Sequence, residues 1–270
     1  MDGLMDKVVI LTGASEGIGR ALARELARLG CHLVLTARSE TRLQSLALEL
    51  AQEQGAQADV LVHSADLTHP HECRELIDAC IARFGRLDIL INNAGMTMWS
   101  RFDELEDLAI LEQIMAVNYL APARLTHMAL PHLKHSQGQV VAIASVAGLT
   151  GVPTRSGYAA SKHAMMGFFD SLRIELADDK VAVTVICPDF VVSQIHKRAL
   201  DGKGNPLGTT PMKEDKIMSA EACAVAMVPA IACRERLLIM SRRGRLGRWV
   251  RLLWPSLIDK LAKKAIAGGH

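Results

Sequence analysis

Aromatic residues are scarce in this chain, at 4% of its 270 positions, and only two of them are tyrosines. Half of all residues are hydrophobic, so Ala, Leu, Val and Ile must fill the core. That filling suits helices packed on a parallel sheet. The six cysteines, at 31, 73, 80, 187, 223 and 233, form no CxxC pair. Most lie in apolar runs and are expected to be reduced core residues, which argues against a disulfide framework or a zinc site. The ten histidines include HPH at 69–71 and HLKH at 132–135, but no cysteine or paired carboxylate joins them at ligand spacing. No metal site is therefore expected. The net charge of +2 is too small for the whole molecule to bind a polyanion, nucleic acid included. No apolar run reaches the ~18 residues of a spanning helix. The opening MDGLMDK is short and acidic, unlike a signal peptide, so a cytoplasmic location is expected. Internal repeats and low-complexity tracts are absent.

What is present is an alternation. Short runs rich in Val, Ile and Leu at 7–13, 31–37, 58–65, 87–95, 139–145, 181–188 and 236–240 read as strands buried on both faces. Helix candidates lie between them, near 17–29, 40–54, 70–84, 103–134, 158–178 and 219–232. This order predicts one α/β domain over 1–243, a Rossmann-like doubly wound seven-stranded parallel sheet with helices on both faces. The stretch 193–218 carries Gly202, Gly204, Pro206, Gly208 and Pro211 and lacks clear periodicity. It reads as a long loop, a candidate lid over a substrate.

LTGASEGIGRALA follows the first strand and opens a helix, with Gly13, Gly17 and Gly19 in the turn. Glycines let a backbone pass close to a pyrophosphate, and the helix N-terminus offers it free N–H groups and partial positive charge. The placement points to a nucleotide; a tight turn without a ligand is the plainer alternative. SGYAASKHA, at 156–164, sets Tyr158 four residues before Lys162, on one side of a helix. An ammonium held beside a phenol favours the phenolate.

These pieces, in this order, carry a family likeness. TGxxxGxG after strand one, NNAG at 92–95, Asn118 in AVNYL, Ser145 ending strand five and Tyr158 in YxxxK thirteen residues later resemble the short-chain dehydrogenases/reductases over roughly residues 7–193. The resemblance implies an oxidoreductase that interconverts a ketone or aldehyde and an alcohol by hydride transfer with NAD(P). It implies cofactor contacts from Gly13, Ser15, Gly17, Ile18, Gly19, Leu67, Asn93, Ala94, Gly95, Tyr158, Lys162, Pro188, Val191 and Ser193. Tyr158 would be the general acid/base, Lys162 would hold the nicotinamide ribose, and Ser145 would donate to the substrate oxygen. Asn118 would support a water that links Lys162 to solvent.

Cofactor choice turns on TARSE at the end of strand two. An acid there would accept from the ribose hydroxyls and repel a 2′-phosphate. Arg38 and Ser39 stand there instead, and Arg38 can pair with a 2′-phosphate. NADP(H) is therefore expected, with NAD(H) left open. Glu16 weakens this, because NADP-preferring relatives often have a basic residue there. Asp66 matches the family's adenine-contacting acid, with capping of the helix near Pro70 as its alternative.

After strand six the family usually has Pro-Gly and, further on, Thr; here CPDFVVSQ places Asp189 and Ser193 in those positions. Asp tolerates positive φ better than most residues, so the turn is expected to survive. The expected pocket walls are Val146, Leu149, Val152, Phe190 and the 193–218 loop, with Met96 opposite. They are mostly apolar, which suggests a small hydrophobic carbonyl or alcohol as substrate.

The carboxyl-terminal extension, 244–270, is basic and amphipathic. From Arg234 to Lys264 there are ten Lys/Arg and two acids, a net of +8, which leaves −6 for the rest. Trp249, Leu252, Leu253, Leu257, Leu261 and Ala265 recur at helical spacing, and Pro255 starts a second short helix. This segment could cover the pocket, dock on a second subunit or lie on an anionic membrane. Phe168, Phe169, Leu172, Ile174 and Leu176 exceed what one sheet contact needs, and the resemblance implies a homodimer or homotetramer through these helices. A nucleotide-binding regulatory protein without turnover and a membrane-surface scaffold remain open as alternative functions.

Overall fold

A computed structural model describes residues 2–54 and 59–267. Seven strands form one parallel sheet: β1 Val8–Thr12, β2 His32–Ala37, β3 Val60–Ser64, β4 Ile89–Asn92, β5 Gln139–Ile143, β6 Ala182–Cys187 and β7 Leu237–Ile239. Every strand falls inside its predicted run; Ala58, at the start of one run, lies outside the described residues. The helices are α1 Gly17–Arg28, α2 Glu40–Gln54, α3 Pro70–Phe84, α4 Ala109–Met115, α5 Ala121–Ser136, α6 Ser156–Glu175, α7 Ala220–Ala232, α8 Arg242–Leu253 and α9 Pro255–Ala267. The predicted extension's last three residues, 268–270, are outside the described part.

Side chains alternate across a strand, so neighbouring strand residues feed two different cores. Val9, Leu11, Leu33, Leu35, Ile91 and Val141 meet α1, α2 and α7 on one face. Val8, Ile10, Val34, Leu90, Val140 and Val185 meet α3, α5 and α6 on the other. Both sets are buried, which is why the strands read as unbroken apolar runs. The strand order is 3-2-1-4-5-6-7, so the direction of winding reverses between β1 and β4. A crevice opens at the carboxyl ends of the strands at such a reversal.

Three expectations need correction. The stretch predicted as one helix, 103–134, is broken. A short 3₁₀ turn, Phe102–Glu104, precedes α4, and a π-helical turn, Ala116–Leu120, joins α4 to α5. A π turn re-aims side chains, and the buried Asn118 lies within it. The extra apolar residues of α6 are mostly used within the chain: Phe169, Leu172 and Leu176 are buried and Phe168 packs against the same core. Ile174 alone of the five is strongly exposed, at 77%. Five cysteines are buried as expected, but Cys233 follows the last turn of α7 and is exposed.

Candidate active site

The cleft at the strand ends has a volume of about 1140 Å³. At one end the glycine turn crosses from β1 to α1. Gly13 has φ +66°, and a Cβ there would lie 2.9 Å from Ala94 Cα. A Cβ on Gly19 would come within 2.2 Å of the Gly13 carbonyl oxygen, so no side chain fits at that crossing. Thr12, the first residue of TGxxxGxG, ties this turn to NNAG: its Oγ1 accepts from Asn93 N and Ala94 N, both at 2.9 Å. Asn93 Nδ2 donates back to the Thr12 carbonyl at 2.8 Å. The α1 N-terminus has no side-chain cap and no acidic residue in its first turn. Its open N–H groups fit an anion such as a pyrophosphate.

Further along the same end, Arg38 lines the cleft; its carbonyl accepts from Ser64 Oγ at 3.3 Å, and its guanidinium makes no hydrogen bond or ion pair with other described residues. Glu16, the residue that weakened the cofactor expectation, is paired twice. It accepts from Arg42 at 2.9 Å, and Arg198 binds both its carboxylate oxygens. Its charge is thus compensated by residues that adjoin the same cleft. Asp66 does not cap α3; the cap position belongs to His69. Asp66 Oδ1 instead accepts from Thr68 N at 3.0 Å and Thr68 Oγ1 at 2.7 Å. Burial works to raise its carboxyl, but the Thr68 bonds and the charge of Arg38 hold it below the usual range. The donor set therefore fits a dinucleotide: bare backbone N–H groups for the pyrophosphate, a free guanidinium beside Ser39, and a carboxylate at the end of β3.

At the other end, Tyr158 and Lys162 project from α6 and are both buried, at 7% and 4% exposure. Lys162 Nζ lies 5.8 Å from the centre of the Tyr158 ring. It donates to the Ile143 carbonyl at 2.9 Å, and no carboxylate among the described residues pairs with it. Burial pulls its pKa down to about 8, and Cys187 opposes that slightly. Ser145 follows β5, and its Oγ accepts from Ala147 N at 3.1 Å. Its own proton is left free to donate into the cleft. Asn118 is fully buried behind this wall. Its Oδ1 accepts from Met96 N at 2.8 Å, and its Nδ2 donates to Met96 O and to Ser161 Oγ, both at 2.9 Å. Both amide protons are spent on joining the 93–96 turn to α6, which positions Lys162.

All the cofactor and catalytic residues expected from sequence line this one cleft, except Asn118. The expected walls Met96, Val146, Leu149, Val152 and Phe190 line it too, with Ile195, Leu200 and Pro206 from the long loop. The loop is tied down: Leu200 N donates to Thr97 O, and Trp99 N donates to Leu200 O. Asp189 corrects one expectation, because its backbone is not left-handed. Its carboxylate instead accepts from Phe190 N and from Nε and Nη2 of Arg243, both at 2.6 Å. The residue that departs from the family pattern thus anchors the start of α8. From there Gly247, Val250, Ile258 and Leu261 also line the cleft. Arg251 adds a bond to the Leu149 carbonyl at 2.6 Å. Sequence reading also missed Arg155 and His196, two buried polar residues of this end. A basic residue three positions before Tyr158, in the turn-rich stretch TGVPTRSG, was the available signal.

The comparisons with known proteins agree with this geometry. A family model for short chain dehydrogenase matches residues 7–204. An 11-beta-hydroxysteroid dehydrogenase 1A of Arabidopsis thaliana is 37% identical over 264 residues, 96% of this chain and 75% of that protein. A dehydrogenase/reductase SDR family protein 7-like of Dictyostelium discoideum is 34% identical over 264 residues, 96% of this chain and 81% of that protein. Among solved structures, a short chain dehydrogenase/reductase from Burkholderia phymatum in complex with NAD superposes with TM-score 0.83 at 26% identity, covering 95% of this chain and 96% of that one. An alcohol dehydrogenase from Thermococcus sibiricus, complexed with 5-hydroxy-NADP, gives 0.72 at 30% identity over 87% and 95%. The fold, the strand order and these likenesses together identify the chain as a member of the short-chain dehydrogenase/reductase family, an oxidoreductase acting on CH–OH groups with NAD(P).

Proposed function

We propose that this enzyme is an NADP(H)-dependent reductase or dehydrogenase of an apolar carbonyl or alcohol, with Tyr158 as its general acid/base. The observation that carries the reading is the meeting of Tyr158, Lys162 and Ser145 in the cleft that also holds the glycine turn. The nicotinamide, when bound, supplies or accepts the hydride. Ser145 orients the substrate oxygen with its free hydroxyl proton, and Tyr158 gives its Oη proton to that oxygen or takes it back. Lys162 keeps positive charge beside the phenol, in a site with little water to screen it. The free Arg38 and the neutralised Glu16 support a 2′-phosphate and hence NADP(H). The apolar walls, and relatives named as hydroxysteroid dehydrogenases, support a bulky hydrophobic substrate of steroid-like character.

Three further features belong to this proposal. The chain works in the cytoplasm and touches anionic membrane surfaces through α8 and α9, where Trp249, Leu252, Leu253 and Leu257, with Trp254 between the two helices, stay exposed amid basic residues. It self-associates as a dimer or tetramer through the α4–α6 side, where Leu108, Leu120 and Ile174 are exposed. The extension also forms part of the substrate wall. The test is a panel of sterols, retinoids, fatty aldehydes and alcohols followed by nicotinamide absorbance with both cofactors. Turnover favouring NADPH on apolar members supports the reading, and preference for NADH or for small polar carbonyls overturns it.

A further inference from the structure

Arg155 is the unexplained group of the cleft. It stands at the N-cap of α6 and is only 4% exposed. Its Nε and Nη2 share one acceptor, Thr97 Oγ1, at 3.3 and 2.8 Å. No described carboxylate pairs with it, and its Nη1 has no hydrogen bond among the described residues. Its guanidinium carbon lies 4.6 Å from the centre of the Tyr158 ring and 5.8 Å from that of Phe190. Guanidinium stays charged even when burial lowers its pKa, so the cleft holds a permanent cation with donors to spare.

The cleft's own carboxylates cannot serve it. Glu16 is committed to Arg42 and Arg198, Asp189 to Arg243, and Asp66 sits by Arg38 at the far end. The rings of Trp99, Tyr158 and Phe190 meet the guanidinium, yet a buried charge with no carboxylate among the described residues is still costly. Two other observations mark the place. His196, from the long loop, lines the same cleft at 5% exposure, and its Nδ1 has no partner among the described residues. The chain also strains to deliver Arg155. The turn whose Arg155 N–H donates to the Val152 carbonyl puts Thr154 at φ +63°, a region that β-branched residues avoid.

We propose that Arg155, with His196 beside it, is the subsite for an acidic group on the substrate. The substrate class is then an apolar oxo or hydroxy compound with a carboxylate a few bonds from the reacting carbon, because the guanidinium lies against the Tyr158 ring itself. The inference rests on Tyr158 marking the reacting end of the cleft. The neighbouring apolar walls take the substrate's tail, while one bidentate ion pair sets which carbonyl meets Tyr158.

The test compares 4-oxododecanoate with its methyl ester in kcat/KM and in thermal stabilisation of the enzyme–NADP complex. The acid should be preferred about tenfold, and Arg155→Met should bring that ratio near unity by lowering the acid's kcat/KM about tenfold, mainly through KM. Arg155→Lys should restore part of the preference, which a purely structural defect would not allow. If neither compound turns over but the acid still stabilises the complex in an Arg155-dependent way, the subsite stands and the catalytic reading fails. Equal stabilisation by acid and ester, or equal losses for both in Arg155→Met, overturns the subsite.

Discussion

Breaking the pair between Asp189 and Arg243 should loosen the wall that α8 builds over the substrate. The Asp189 side chain is 14% exposed and that of Arg243 54%, so the carboxylate is desolvated while the guanidinium is half wet. Exposed pairs contribute about 0.2–1 kcal/mol, whereas breaking a buried pair costs about 3–5 kcal/mol. This pair stands between: its bidentate geometry lifts it above an exposed pair, and the half-wet guanidinium keeps it in the lower part of that interval. We expect a coupling of about 1.5 kcal/mol in a double-mutant cycle of Asp189→Asn and Arg243→Gln. Arg243→Gln alone should cost about 2 kcal/mol, because it leaves a buried carboxylate with fewer donors. The pH dependence follows from the same groups. Burial would raise the Asp189 carboxyl, but hydrogen bonds from Arg243 and Ser241 outweigh it, so the folded-state pKa is lowered. A lowered carboxyl stabilises the fold above its unfolded pKa, near 3.9, and that contribution is lost as pH falls through the folded value. Urea unfolding near pH 7 should show the full coupling, and unfolding in strong acid should show none. KM for an apolar substrate should rise about tenfold at pH 7, the equivalent of about 1.4 kcal/mol. A coupling under about 0.3 kcal/mol, together with an unchanged KM, would refute the role given to this pair.

Four other outcomes are expected. Tyr158→Phe should bind NADPH as the parent does, measured by fluorescence, yet lose turnover by a factor of about 100 or more. Arg38→Asp should weaken NADPH about 100-fold and NADH little, since one charge-assisted contact to the 2′-phosphate is replaced by repulsion; equal loss of both cofactors in titration calorimetry would count against it. Thr154→Asn should raise unfolding free energy by about 1 kcal/mol, because Asn accepts positive φ with less strain, and a lower melting midpoint would contradict the turn described here. Full-length protein should float with anionic vesicles at low salt and a variant lacking 244–270 should not; failure of the full chain to float at any salt would end the membrane contact.

How much of this was readable before folding depends on the range of the interaction. The glycine turn, the strands and the Tyr158–Lys162 spacing were legible because each is set by local geometry: a backbone that must turn tightly, side chains that alternate, residues one helical turn apart. The break at Asn118 was not, because apolar periodicity runs through 103–134, while the π turn goes with the buried amide's bonds to Met96 and Ser161, distant along the chain. Asp189 was noticed but misread. Its composition suggested tolerance of a left-handed turn, whereas its partner Arg243 lies 54 residues away.

The amino-acid order by itself determined the layered α/β plan, the glycine turn after the first strand and the placing of Tyr158 and Lys162 on one side of a helix. Tertiary structure alone decided the electrostatic state of the site. Whether Glu16 repels a phosphate, whether Asp189 anchors a helix and whether Arg155 lacks a counterion all depend on charges brought together from distant segments. Coulomb interactions and desolvation act through space, so no local pattern along the chain encodes them.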